Sequence, residues 1–372
     1  MSRGDKKRII VSVTNDLVCD NRVNKVCSTL SDMGFDILCI GRKLPGSPEF
    51  TPQNYKIRRF RLLFNKGPFF YACYNCRLFC FLLFSRFDLL LANDLDTLPA
   101  NYIISRTKKK PLVYDSHEYF TEVPELIDRP KVKLFWEWLE RKMVPRLEHA
   151  YTVCDSIAKI YTEKYNTVFH VVRNVSSVRF SVDDESSSRN VTPKIILYQG
   201  AVNAGRGLRQ AVLSMKLVEG ANLVIAGDGD KRTDIENLIK QEGLGEKVKF
   251  LGRLPFEELE KLTPLASIGL SVEEDTGLNY HYALPNKLFD YIASLVPVVV
   301  SDLPEMAGIV RKYNIGMVTS SLQPEKLAVI FQEMLNNRKK REIWIRNLRK
   351  AALELTWENE EKKLKKIFRP FL

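Results

Sequence analysis

Seven cysteines in 372 residues, an odd number, offer no disulfide framework: Cys19, Cys27, Cys39, Cys73, Cys76, Cys80 and Cys154. Cys73 and Cys76 have CxxC spacing, but no second Cys/His pair follows at zinc spacing, so buried or half-buried free thiols are expected and no metal site. No cleavable leader is expected either. Met1–Arg8 is polar and basic, and the apolar run Ile9–Val13 is only strand-length. A reducing cytosol is the expected compartment. The longest unbroken apolar run, Leu78–Phe84, falls far short of the roughly 20 residues that a spanning helix needs. Neither a GxGxxG fingerprint nor a Walker loop is present, which counts against NAD and ATP. No RNP, helix-turn-helix or zinc pattern points to nucleic acid, and there is no solenoid-period repeat or low-complexity tract.

What is present is positive charge, unevenly placed. The net charge is +12. Residues 1–180 hold 29 Lys+Arg against 19 Asp+Glu, and residues 181–372 hold 28 against 26. An electrostatic partner therefore meets the N-terminal half.

Apolar runs of strand length alternate with helical patterns through both halves. In the first, Ile9–Val13, Phe35–Gly41, Asp88–Ala92, Leu112–Tyr114 and Tyr151–Cys154 read as strands. A helical pattern through Val23, Val26, Leu30 and Met33 stops at Gly34. In the second, strands at Ile195–Gln199, Leu223–Ala226, Val248–Leu251, Ile268–Val272 and Val296–Val300 alternate with helices from about Leu208, at Asp234–Glu242, Glu257–Leu262, Lys287–Ser294 and Glu305–Lys312. The polar, Ser-rich segment 181–193 reads as a linker. The expected fold class is α/β, with two Rossmann-like doubly wound domains at 1–180 and 194–350. The charged tail reads as a helix, and 351–372 is expected to pack back toward the N-terminal domain.

Three constellations stand out. Gly200-Ala-Val-Asn-Ala-Gly205-Arg206-Gly207 is a glycine-rich strand-to-helix turn with a cation inside it. Its amides and Arg206 suit a phosphate, and a flexible turn with a solvated arginine is the alternative. In Pro285-Asn286-Lys287 a helix starts, Asn286 can cap it, and Lys287 in the first turn opposes the helix dipole, a placement that structure alone disfavours. Asp290 shares a face with Lys287, so a surface Lys–Asp pair is the plainer reading. In the first half, Asp115-Ser116-His117-Glu118 crowds polar groups at the end of a buried strand, where open parallel sheets place their sites.

At these residues the sequence resembles the retaining glycosyltransferases of family 4, whose fold is called GT-B. The likeness lies in LYQGAVNAGRGL, LVIAGDGD, VKFLGRLPFEEL, ALPNKLFDYIASLVPVVVSDLPE, DNRVNKV, NDLDTLPA and YDSHEYFTEVPEL, in that family's order and spacing, and is clearest from Ile195 to Met317. It implies two facing domains with a cleft between them, an acceptor side in the first and a nucleotide-diphosphate-sugar donor in the second. Arg206 would then bind the donor diphosphate, helped by Lys287 and amides near Asn286. Asp290, matching the second acid of the family's Glu-x7-Glu motif, would bind donor hydroxyls. His117 would sit against the transferred sugar. Gly227 and Gly229, with the turn glycines Gly200, Gly205 and Gly207, would let the backbone approach the nucleotide. Three departures mark this chain. Tyr282 stands where the family has its first Glu, leaving Glu274 or Asp275 as stand-ins. Ala201 replaces a basic residue. The segment Thr14–Arg22 replaces a Gly-Gly loop.

The resemblance implies sugar transfer with retention. With Arg206, Lys287 and backbone amides facing the leaving diphosphate, no metal cofactor is expected, and Asp94-Leu95-Asp96 is read as structural or acceptor-side. Thr51–Phe87 holds no Asp or Glu while basic residues interleave with aromatics. Residues 56–87 therefore point to an anionic membrane surface, which the protein lies on rather than crosses, and to a glycan or lipid-linked acceptor; a core helix with a solvated basic face is the plainer alternative. The expected location is cytoplasmic, peripheral on the inner face of the plasma membrane, in polysaccharide synthesis. Rival readings are a non-enzymatic GT-B subunit, a GT-B nucleotide-sugar epimerase and a dehydrogenase.

Overall fold

A computed structural model describes residues 6–17, 20–47, 49, 53–177 and 193–372. The expected linker therefore lies, but for Pro193, outside the described residues, as does Cys19. The chain forms two compact units. The first takes residues up to Asn174 together with Glu360–Leu372, and the second takes Val175–Asn359.

The first unit is built on β1 (Arg8–Asp16), β2 (Asp36–Arg42), β3 (Lys56–Phe60), β4 (Leu89–Asn93), β5 (Leu112–Ser116), β6 (His149–Thr152) and β7 (Phe169–Val171). They form one parallel sheet in the order β3-β2-β1-β4-β5-β6-β7. Every residue of β4 and β5 is buried, as expected of parallel strands covered on both faces. The helix Asn21–Asp32 starts where the Asp20 carboxylate accepts the Val23 N–H at 3.1 Å, and it ends at Gly34, whose φ is +103°. The C-terminal helix Trp357–Phe368 delivers residues from Glu360 onward to this unit. There the Arg173 N–H donates to Glu360 Oε2 at 3.0 Å, Thr29 Oγ1 donates to Glu361 Oε1 at 3.2 Å, and the Phe371 ring meets His149 edge-on at 4.9 Å.

The second unit repeats the plan with β8 (Lys194–Gln199), β9 (Ala221–Ala226), β10 (Val248–Gly252), β11 (Ile268–Ser271), β12 (Val298–Ser301) and β13 (Gly316–Thr319). The order is β10-β9-β8-β11-β12-β13, again parallel. Tyr198, Val202, Leu208, Val212, Leu270 and Phe331 are among its core residues. In both sheets the strand order reverses beside the first strand, between β1 and β4 and between β8 and β11. The crevice outside such a reversal is where doubly wound sheets bind ligands.

Several elements were not read from sequence. The edge strands β3, β7 and β13 are short. Helices Gly67–Phe84, Leu98–Lys108, Pro130–Met143, Asp155–Tyr165, Pro324–Asn336 and Arg338–Glu354 complete the layers. The described cysteines are free. Cys27, Cys39 and Cys154 are buried and Cys73 half-buried, but Cys76 and Cys80 are exposed, contrary to the expectation for them.

Candidate functional site

The loop after β8 and the segment after β11 meet at the reversal point of the second sheet. The loop runs from Gly200 to Gly207, which caps the helix Leu208–Ser214 with φ +64°, a left-handed conformation suited to glycine. Gly205 also has positive φ, and a Cβ there would press on the Tyr280 ring at 3.0 Å. Arg206 lies between them, its guanidinium 5.0 Å from the centroid of that ring. Tyr280 is held in turn by its hydroxyl, which donates to the Ala204 carbonyl at 2.7 Å.

Arg206 and Lys287 converge on one carboxylate, that of Glu273. Lys287 Nζ lies 2.7 Å and Arg206 Nη1 3.5 Å from Glu273 Oε1. Glu273 is fixed by the Ser271 hydroxyl, which donates to Oε2 at 2.9 Å, and by the Ser301 hydroxyl, which donates to its carbonyl at 2.6 Å. Burial pushes its carboxyl up, but Lys287 and Arg206 outweigh burial and hold it below the usual carboxylate range. Lys287 Nζ also sits 4.1 Å from the centroid of the Tyr198 ring. Arg206 keeps a side chain 25 % exposed, whereas the Lys287 side chain is 7% exposed.

Glu273 was missed by sequence reasoning, which named Glu274 or Asp275 only as stand-ins at the sugar. Those two make contacts of their own. Glu274 is tied through its backbone N–H to the Gly205 carbonyl at 2.8 Å, and Asp275 pairs with His281 at 3.0 Å. Strand parity was the available signal. Ser271 and Glu273 are two residues apart and share a side, and their side chains touch.

Asn286 is the first residue of the helix Asn286–Ala293. Pro285 takes the capping position and no side chain caps the end, so the expected Asn286 cap is not made. As at any helix start, the first N–H groups lack the acceptors of a full turn, and the Leu288 N–H donates to the Pro285 carbonyl at 3.1 Å. Lys287 is in the first turn, and Glu273 offsets its conflict with the helix dipole. Asp290 does not pair with Lys287: Oδ1 accepts from Ser176 Oγ at 2.6 Å and Oδ2 from Gln199 Nε2 at 3.0 Å. Gln199 is fixed by Thr263 Oγ1, which donates to its Oε1 at 2.8 Å. Gly227 and Gly229 have a reason for being glycine within the fold. A Cβ on Gly227 would overlap the Gly200 carbonyl oxygen, and one on Gly229 the Val202 carbonyl oxygen. The close backbone approach seen at these glycines is to the Gly200 loop itself.

In the first unit, His117 follows β5. Its N–H donates to Asp94 Oδ1 at 2.8 Å, Nδ1 lies 3.2 Å from Asp94 Oδ2, and Nε2 lies 3.1 Å from Asp115 Oδ2 and 3.2 Å from Asn93 Oδ1. Burial disfavours the imidazolium, but Asp94 and Asp115 outweigh it and push the pKa up to about 9. Burial likewise opposes the Asp115 charge, yet Arg22 and His117 hold it down to about 2. Arg22 grips Asp115 with two bonds, 3.0 Å from Nε and 2.7 Å from Nη2. His117 is thus a charged donor between two carboxylates, not a poised proton acceptor. Asp96, two residues past Asp94, is pushed up to about 8 by burial and by Asp94. Its Oδ2 accepts from Thr14 Oγ1 at 2.6 Å, and its buried Oδ1 has no partner among the described residues.

Comparison with known proteins follows the same division. Residues 180–351 match the family model described as glycosyl transferases group 1. An uncharacterized glycosyltransferase of Methanocaldococcus jannaschii is 29% identical over 182 residues, which are 47% of this chain and 45% of the relative. The chain thus matches less than half the length of that curated relative. Among solved structures, sucrose-phosphate synthase from Thermosynechococcus elongatus superposes with a TM-score of 0.80 at 16% identity, covering 98% of this chain and 99% of that one. The Anabaena protein HepE, solved with UDP-glucose, gives 0.73 at 14% identity over 98% and 99% of the two chains. At such identities the likeness shows the fold, which is the two-domain α/β fold called GT-B.

Proposed function

From the match of residues 180–351 to the model of group 1 glycosyl transferases, we propose that the chain moves a sugar, with retention at the anomeric carbon, from a nucleotide-diphosphate sugar to a glycan or lipid-linked acceptor. The observation that carries the reading is the convergence of Arg206 and Lys287 on Glu273 at the reversal point of the second sheet. Breaking the anomeric C–O bond builds positive charge on the sugar and negative charge on the departing diphosphate. Fixed cations aimed at that diphosphate stabilise the charge as it grows, without reorganising during the reaction. Arg206 supplies a planar fork suited to two phosphate oxygens. Lys287 and the first amides of the helix Asn286–Ala293 supply the second positive edge. The charge neutralisation that a divalent ion performs in other transferases is assigned here to these groups. Asp290, held by Ser176 and Gln199, is assigned to donor hydroxyls. The first unit is assigned to the acceptor, and the cytoplasm, in polysaccharide synthesis, is the proposed setting. HepE, solved with UDP-glucose, supports UDP sugars as the first donors to test.

Thermal unfolding against a panel of nucleoside diphosphates and nucleotide sugars tests the reading. A ligand that binds only the folded state raises the melting temperature. A rise with one nucleotide family, lost in Arg206→Ala, is expected. No rise with any of them overturns the reading in favour of a non-enzymatic subunit, which Tyr282 in place of the family's Glu favours. Turnover without any acceptor would favour the epimerase instead.

A further inference from the structure

We propose that the first unit docks on an anionic lipid bilayer through one aromatic surface made by two segments far apart in sequence, 63–84 and the helix Pro130–Met143. The helix Gly67–Phe84 is long and apolar enough to cross a membrane by length and composition. The apolar run read from sequence is shorter because Asn75 and Arg77 interrupt the helix. Its fold holds it along the protein instead. Phe70, Tyr74, Leu78 and Leu82, one residue per turn, are buried, and the Tyr74 hydroxyl donates to the Val13 carbonyl of β1 at 2.7 Å. Lys108 closes its C-terminal end by donating to the carbonyls of Leu82 and Ser85, each at 2.9 Å. A helix this apolar is normally buried all round. Here Phe69 is 70 % and Phe84 86 % exposed, and Leu63 and Phe64 beside them are exposed too.

The second segment is not readable as part of this surface from sequence. Helix Pro130–Met143 exposes Leu134, Phe135 and Trp138 while burying Trp136. Trp136 touches Tyr71 of the first helix, with ring centroids 5.2 Å apart, and Phe135 at 5.5 Å. Phe64 and Phe69 stand 5.5 Å apart at the near end of the first helix. The two helices therefore pack against each other through the Tyr71–Trp136 contact, and each carries exposed aromatic groups. An exposed apolar patch of this kind marks an interaction site.

Charge selects the partner. Residues 51–87 contain no Asp or Glu and seven Lys or Arg. The second helix, with Arg129 just before it, holds Lys131, Lys133, Arg141 and Lys142 against two acids, Glu137 and Glu140. Of these Glu140 is buried against Lys164 at 3.0 Å, so cations outnumber acids on the helix. Aromatics for the interfacial zone with cations around them match an anionic leaflet. The inference does not depend on the donor site, so the two fail separately.

Co-sedimentation of the full chain with vesicles tests it. One vesicle is phosphatidylcholine alone, and the other contains a quarter phosphatidylglycerol. Binding to the anionic vesicle is expected, weakened by salt, and reduced at least tenfold in both Phe69→Asp/Phe84→Asp and Phe135→Asp/Trp138→Asp. All four positions are exposed, and unchanged melting temperatures check that the variants are folded. No binding to anionic vesicles, or equal binding to neutral ones, overturns the proposal. Full binding by either double variant overturns the two-segment surface. Nucleic acid that competes with the vesicles and is bound equally by the aromatic variants points to the cations alone, and overturns it as well.

Discussion

Lys287 Nζ lies 2.7 Å from Glu273 Oε1 with the two side chains 7% and 0% exposed, a buried ion pair that Arg206 joins at 3.5 Å. Breaking a buried pair by removing one partner leaves a charge without compensation, at a cost of about 3–5 kcal/mol. Glu273→Gln and Lys287→Met should each approach that loss in urea unfolding. The double variant should lose less than the sum, because neither charge is left alone. Additive losses would refute the pairing as an energetic unit.

Arg206 is the exposed member of the trio, so its loss should be felt in reaction more than in folding. Arg206→Ala gives up a 3.5 Å ion pair and a ring contact, worth about 1 kcal/mol or less. If it stabilises the leaving diphosphate, turnover should fall by about 100- to 1000-fold. Arg206→Lys should recover only part of this, since an ammonium cannot present the planar fork. Steady-state kinetics beside melting temperatures measure both. Normal turnover in the alanine variant would remove Arg206 from the mechanism.

Most of the fold was legible because buried parallel strands are short continuous apolar runs. β4, β5, β9 and β12 announce themselves that way, and Gly34 and Gly207 mark real ends of elements. β3 was not legible: an edge strand reading KIRRF carries three cations in five residues, with the alternating exposure of a strand paired on one side. Helix Gly67–Phe84 hid its buried stripe because the background around Phe70, Tyr74, Leu78 and Leu82 is apolar too, and a period needs contrast. At the site, the sequence marked both cations but not their shared partner. Glu273, Glu274 and Asp275 are consecutive acids, and only the direction of the chain leaving β11 chooses between them. The loop glycines were legible as a group. What they approach within the fold was not, because Gly200 and Gly227 are brought together only by the pairing of β8 with β9.

That approach makes a test of its own. A methyl on Gly227 would overlap the Gly200 carbonyl oxygen, a backbone atom that cannot rotate away. Gly245 has open space around its Cβ position and no positive φ. Gly227→Ala should therefore destabilise the protein by about 1–3 kcal/mol, as overpacking does. Gly245→Ala should be neutral or slightly stabilising. Nucleotide affinity should fall in the first variant alone, since the Gly200 loop, proposed to hold the diphosphate, must shift. Equal melting temperatures for the two variants would show that the loop yields without strain.

The first unit has a pH dependence that His117 sets. Its pKa rises from an unfolded value near 6.5 to about 9, because Asp94 and Asp115 together outweigh its burial. Between these values the folded protein holds a proton that the unfolded chain has released. The stabilisation is therefore complete below pH 6.5, is lost progressively above it, and is gone once the pH passes about 9. The slope of one such proton is about 1.4 kcal/mol per pH unit, so about 3 kcal/mol is at stake. Asp96, pushed up to about 8, also favours the protonated folded state; the His117 charge holds it down, so its share of the slope grows when His117 is replaced. Urea midpoints for the wild type and His117→Gln at pH 6, 7, 8 and 9 isolate the histidine: the wild type should lose more stability over this range, and the two curves should converge near pH 9. Parallel curves would mean that Asp94 and Asp115 do not hold the imidazolium, and that Arg22 alone, bonded to both oxygens of Asp115, carries the charge balance at this end of the sheet.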